Sequence, residues 1–370
     1  MSEYSQEDRQ AICASFARLL EENANEPKLR ELIETRSGFD RELWQKMADM
    51  GLTGITIAPE HSGAGGSLEE VEALLEIAGG FLLCGPFIES CVIAPALLLA
   101  CEDQEFAGQH LQAIAAGSSI FAVAGCGSSG DWDELPDVVA EQQDGHWCLS
   151  GSAHFVAYAN VADHCLVAAN VQGEIGVFLV AMEDPAITAT LHKSSDPTQR
   201  LSTLSFDSVR ATRLAGVDEQ AWSGALVNGL VALAGEQVGG AQRIFTITIE
   251  YLKIRHQFGQ AIGSFQSLKH MAADLLVELE SATSVARHAA RAIAAGNEDA
   301  ATMSYLAAFT CADNYRRIAA DAIQLHGGIA YTVEHPAHLY WRRAQSGQWA
   351  YCSSDRLRDL YLAEMEKNHE

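Results

Sequence analysis

No stretch of this 370-residue chain approaches the ~20 consecutive apolar residues that span a bilayer. The longest candidate, CVIAPALLLAC at 91–101, is too short and carries Pro95. The first ten residues, MSEYSQEDRQ, lack the basic start and apolar core of a signal or transit peptide. The sequence therefore reads as soluble and cytoplasmic. Cysteine is present but unpatterned: the nine residues at 13, 84, 91, 101, 126, 148, 165, 311 and 352 form no CxxC pair and no zinc-like spacing with histidine. Most lie inside apolar runs, which marks them as reduced core thiols rather than metal ligands or disulfide partners. Positive charge is scarce as well. Lys and Arg number 24 against 49 Asp and Glu, a formal net charge of −25 at pH 7. That balance excludes a nucleic-acid binder, which needs a basic footprint for the phosphates. It also means that an anionic ligand must be held locally, by a few arginines and backbone N–H groups.

What remains is ample for a core: 48% of the residues are hydrophobic, enough for two or three domains. Three textures follow one another, which makes the chain an α+β multidomain protein. Residues 6–35 and 40–50 carry apolar positions at helical spacing. The Gly-rich connection that follows leads into SLEEVEALLEIAGG, where Ser67 suits an N-cap and Glu69 and Glu70 suit the first turn. Helix continues through 87–116, so residues 1–117 form a mostly helical domain. From 118 to 217 seven short β-branched and aromatic runs recur at roughly 10-residue spacing, as in a small barrel or sandwich. From 218 to 370 the helical pattern returns, in amphipathic stretches at 222–257, 265–296, 298–327 and 336–366.

Two segments of the last zone carry candidate chemistry. In RHQFGQAIGSFQSLKH, 255–270, Arg255 ends a helix and Gly259 and Gly263 punctuate a turn before Phe265. A guanidinium there, with Gln257 and exposed backbone, can clamp a phosphate through paired hydrogen bonds. An ordinary helix corner with an exposed Arg reads equally from the residues. In QLHGGIAYTVEHP, 324–336, the Gly327–Gly328 pair after a helix suits either a backbone cradle or a simple C-cap.

Taken together, RxQFGxxIxxFQxxKH and DAxQLHGGxAYTxExP resemble the acyl-CoA dehydrogenase family. MGLTGITIAPEHSGAGGSLEEVEAL (50–74) and WCLSGSAHFVAYANVADHCLVAA (147–169) add to the resemblance, which spans nearly the whole chain. It implies an N-terminal helical domain, a middle β-barrel and a C-terminal four-helix bundle. It further implies FAD-dependent α,β-dehydrogenation of an acyl-CoA thioester: a glutamate takes the α-proton, flavin N5 takes the β-hydride, and an electron-transfer flavoprotein reoxidises the flavin. In the family one subunit's middle domain holds the flavin ring, and its dimer mate holds the pyrophosphate and adenosine. The mate-side positions here are Arg255, Gln257, Phe258, Gln324, Gly327 and Gly328, all intact.

Other positions depart from the family. Its TEPxAGSD turn beside the flavin ring is AGCGSSGD here, Ala124–Asp131. Its ring-stacking Trp and nearby Thr are Phe155 and Ala157, and its NGxK lysine position is Ala153. Tyr351 stands where the usual YEGT glutamate would be, and an ordinary pKa of ~10 makes a phenol a poor α-proton abstractor. The alternative base position on the preceding helix is Gly229. Glu236, two turns further on the same face and about 10 Å along the axis, is the candidate catalytic carboxylate; a partner for a neighbouring helix or chain is its plainer role.

EHPAHLYWRRAQ and SSDPTQRLSTLSFDSV resemble a branch of the family in which two unequal subunits form heterotetramers that degrade steroid side chains and other bulky acids. Three readings stay open. The chain is the half of a heteromeric enzyme that clamps the adenosine end of FAD for a second acyl-CoA dehydrogenase subunit. Alternatively it is a self-sufficient homo-oligomer using Glu236, or a non-catalytic member that has lost FAD.

Overall fold

The computed structural model describes residues 4–367. Its first layer holds α1 (Gln6–Asn23), α2 (Glu26–Ile33), α3 (Arg41–Asp49), α4 (Leu68–Gly80), α5 (Ala94–Leu99) and α6 (Gln104–Ala115), with a π-helical turn at Glu89–Ile93 running into α5. Ser67 does cap α4, in a full capping box with Glu70. The same Glu70 carboxylate receives the Arg9 guanidinium at 2.6 Å and so ties α4 to α1.

The middle layer is β1 (Phe121–Ala124), β2 (Val139–Gln143), β3 (His146–Ala157), β4 (His164–Val171), β5 (Glu174–Ala181), β6 (Ile187–Leu191) and β7 (Leu201–Arg213). All seven apolar runs are strands. Pairings β4–β2, β2–β3, β3–β7, β7–β5 and β5–β4 close a ring, with β1 added beside β4 and β6 beside β7. The fold is thus a barrel, not a sandwich. Strands β4 and β5 are apolar at consecutive positions because both of their faces are covered. Cys165, Val167, Phe178 and Val180 fill the barrel. Leu166, Ala168, Val177 and Leu179 pack outward into the helical core.

The last layer contains α7 (Glu219–Ile254), a two-residue hairpin of β8 (His256–Gln257) and β9 (Gln260–Ala261), α8 (Gln266–Ala295), α9 (Ala300–His326), α10 (Ala337–Gly347) and α11 (Ser354–Lys367). The stretch 336–366, which reads as one amphipathic helix, is broken between Gly347 and Ser354. Tyr351 lies in that break at φ +66°, outside helical space. Its carbonyl accepts from the Trp132 N–H at 3.0 Å, and the Ser353 N–H donates to Asp131 at 3.3 Å. Contacts with the 124–132 loop therefore replace the helical ladder.

The middle of α7 is buried all round, and α4 crosses it at van der Waals distance. A Cβ on Gly239 would run into the Glu76 carbonyl, and one on Gly79 into that of Glu236. Eight of the nine cysteines are buried free thiols. Among the described residues no helix is long and apolar enough to cross a membrane.

Candidate active site

A cavity of about 450 Å³ opens where the three layers meet. Leu75 and Ala78 of α4, Leu233 of α7 and Leu201 of β7 give it apolar walls; Phe155 and Ala157 close the barrel side. The polar groups on its wall include Glu89, Asp131, Glu236, Arg343 and Tyr351.

Arg343 of α10 is 4% exposed, and its guanidinium is spoken for on every side. Nε donates to Glu236 Oε1 at 3.0 Å, Nη2 to the Leu83 carbonyl at 2.7 Å, and Nη1 to the Thr198 hydroxyl at 3.0 Å. Asp196 lies 4.0 Å from Nη1 and also accepts from Ser346 Oγ at 2.7 Å. Burial alone would make the cation easier to deprotonate, but Glu236 and Asp196 outweigh it and hold the Arg343 pKa above its ordinary value. One side chain thereby joins all three layers. It also explains the two branch-like motifs: WRRA supplies Arg343, and SSDPTQR supplies Asp196 and Thr198.

Glu89 sits in the π-helical turn and is 9% exposed. Its Oε1 accepts from the Tyr351 hydroxyl at 2.9 Å. Burial raises the Glu89 pKa above the usual carboxylate range, and Tyr351 is raised by burial and by the Glu89 charge. Tyr351 packs edge-on against Trp132 at 5.1 Å, and Trp132 stacks on Trp222 at 5.8 Å. That stack accounts for the altered turn, since a Cβ at Gly125 would run into the Trp222 ring. Gly229 holds no acid because its Cβ position lies 2.7 Å from Ile93 Cδ1.

Of the residues singled out in the sequence, Phe155, Ala157, Glu236 and Tyr351 line this cavity, and the six of the expected FAD clamp do not. Arg255 follows the end of α7, 19 residues and roughly 28 Å beyond Glu236 on one helix. Gln324, Gly327 and Gly328 end the parallel helix α9, and Tyr251 stacked on His326 at 4.6 Å holds the two helix ends together. All six residues are exposed. Among the described residues, the Arg255 guanidinium and the Gln324 amide have no side-chain partner. Gly327 takes φ +65°, and nothing lies within 4 Å of a Cβ built on either glycine. An open left-handed turn beside an unpaired guanidinium suits a bound anion. The ring-side turn, with Ala124 in the hydroxyl position and Trp222 over Gly125, lacks the threonine hydroxyl expected there.

Glu89 is the functional candidate that the sequence did not disclose. Its signal was a lone acid in the apolar run PFIESCVIAP; the π-turn that aims it at the cavity leaves no pattern of its own.

The model of the acyl-CoA dehydrogenase N-terminal domain matches residues 6–118, and that of the C-terminal domain matches residues 220–365. The chain belongs to the acyl-CoA dehydrogenase family, oxidoreductases acting on acyl-CoA. Acyl-CoA dehydrogenase IpdE2 of Mycobacterium tuberculosis is 31% identical over 340 residues, 91% of each chain. FadE27 of the same organism is 31% identical over 338 residues, 87% of each. Among solved structures, the ChsE4–ChsE5 complex of Mycobacterium tuberculosis superposes with a TM-score of 0.90 at 25% identity, covering 99% of each chain.

Proposed function

We propose that this chain serves FAD-dependent α,β-dehydrogenation of an acyl-CoA as one subunit of a heteromeric complex. Arg255, Gln257, Phe258, Gln324, Gly327 and Gly328 would clamp the pyrophosphate and adenosine of a flavin whose ring lies in a partner acyl-CoA dehydrogenase subunit. That partner would supply the glutamate and the acyl-CoA pocket, and an electron-transfer flavoprotein would take the electrons. FAD, when bound, supplies the hydride acceptor. The observation that carries this reading is the unequal fate of the two half-sites. The outer cradle is open, with Arg255 and Gln324 unpaired among the described residues, whereas the inner position of the base holds Tyr351 and the ring-side turn is rebuilt around Trp222. The roughly 28 Å between them on α7 means that one chain's cradle does not serve its own cavity. A relative solved as a two-component complex supports the assembly. The domain limits proposed with it fall in the links between α6 and β1 and between β7 and α7.

Co-expression with an intact family member tests this. The complex is expected to carry FAD, and Arg255→Ala to weaken FAD binding about 10–100-fold, the loss of one or two charge-assisted bonds to phosphate. Unchanged FAD occupancy in that variant, read from flavin absorbance, overturns the clamp. One observation favours a second reading, a self-sufficient enzyme: Glu236 lines the chain's own cavity. That reading requires the isolated chain to be yellow and to bleach with an acyl-CoA. It also requires Glu236→Gln to lose activity while keeping flavin.

A further inference from the structure

The reading above leaves this chain's own cavity without a base, yet the cavity is not chemically blank. Of its three carboxylates, Asp131 accepts from the Ser353 N–H at 3.3 Å, and Glu236 is committed: its Oε1 faces the Arg343 Nε at 3.0 Å, inside a network that pins three layers. Glu89 is not. Its one side-chain partner is the hydroxyl of Tyr351, the residue standing where the family's base would be. Two backbone irregularities converge on that pair, a π-helical turn under Glu89 and the left-handed conformation at Tyr351. Such features cost free energy and concentrate at functional sites.

We propose that Tyr351 and Glu89 form a proton relay in place of the missing glutamate. The Cα–H bond of an acyl thioester breaks, and its electron pair remains on the substrate as the enolate. The proton goes to the Tyr351 oxygen as the hydroxyl's own proton passes to Glu89. Return of a proton along the same path completes an exchange that needs no oxidant. A phenol in isolation is too weak a base, and the carboxylate behind it removes that objection by receiving the second proton. The other charged or titratable groups around Glu89 are Glu236, Arg343 and Cys91. Burial of Glu89 places the onset of exchange above the ordinary carboxylate range, and the Tyr351 hydrogen bond opposes that rise.

The test is deuterium incorporation at Cα of phenylacetyl-CoA, incubated with the full chain in D2O and read by mass spectrometry. Wild type is expected to exceed buffer by at least about 100-fold, the lower end of what a placed base contributes. Glu89→Gln and Tyr351→Phe should both fall to the buffer rate. The exchange should rise with pH through a midpoint above the usual carboxylate range. Tyr351→Phe keeps the ring against Trp132, so it carries the test should Glu89→Gln fail to fold. Wild-type exchange no faster than buffer overturns the relay, as does full exchange in Tyr351→Phe or in a folded Glu89→Gln. None of these outcomes touches the adenosine clamp, which is read from FAD content.

Discussion

A carboxylate buried inside a helix bundle is either paired or costly, and this molecule holds both kinds. Glu236 is paired with Arg343, and Glu89 is tied to Tyr351. Glu72 of α4 is 3% exposed, and its Oε1 finds no partner. Burial, then the neighbouring Glu76, raises its pKa from 4.5 to about 7 against the opposing pull of Arg287 and Arg291. The unfolded chain releases this proton near the ordinary value while the native state keeps it. Native protein therefore holds the extra proton between pH 4.5 and about 7, and stability falls as pH rises through that window. The whole decline is at most about 3 kcal/mol and is complete above pH ~8. Glu72→Gln should flatten it, raising the urea midpoint at pH 8 more than at pH 5. Equal shifts at both pH values would contradict this account. In sequence neither Glu72 nor Glu236 declares its fate; only packing tells which has found a counterion.

At the scale of elements, most of the fold was legible. Period-2 and period-3.6 patterns, turn residues and the Ser67 cap placed the seven barrel strands and the long helices, because those signals come from burial along one element. The misses are places where a neighbour overrides the local pattern. The stretch 336–366 keeps its amphipathic period but is broken at Tyr351 by hydrogen bonds from the 131–132 loop. The turn AGCGSSGD looked merely degenerate until Trp222 appeared over Gly125. The α4–α7 crossing offers a direct test of such override. Gly239→Ala would press a methyl into the Glu76 carbonyl and should destabilise by about 1–3 kcal/mol, as overpacked sites do. Gly224→Ala on the same helix meets nothing within 4 Å and should stabilise by up to about 1 kcal/mol through helix propensity. Denaturant melts of the two variants measure the contrast; shifts of the same sign would mean the crossing is loose.

For the whole molecule, the cradle at the far ends of α7 and α9 raises the question of what covers it. Phe258 is 91% exposed, and Ile254, Tyr331 and Val333 beside the same helix ends are 73%, 79% and 73% exposed. Phe258 contributes little to its own fold: its one ring contact is Phe265, with centroids 6.2 Å apart. It also sits at φ +55°, a conformation that an aspartate tolerates better than a phenylalanine. Phe258→Asp should therefore leave the stability of the isolated chain within about 0.5 kcal/mol. If a partner subunit and a flavin close over this end, the same substitution puts a charge into a buried, anion-binding interface. Assembly with the partner should weaken at least about tenfold, and FAD occupancy should fall with it. Sedimentation of the mixed complex beside a thermal melt of the lone chain separates the two effects. Unimpaired assembly would show that the partner docks elsewhere, and a large loss of monomer stability would show that Phe258 belongs to this chain's own core.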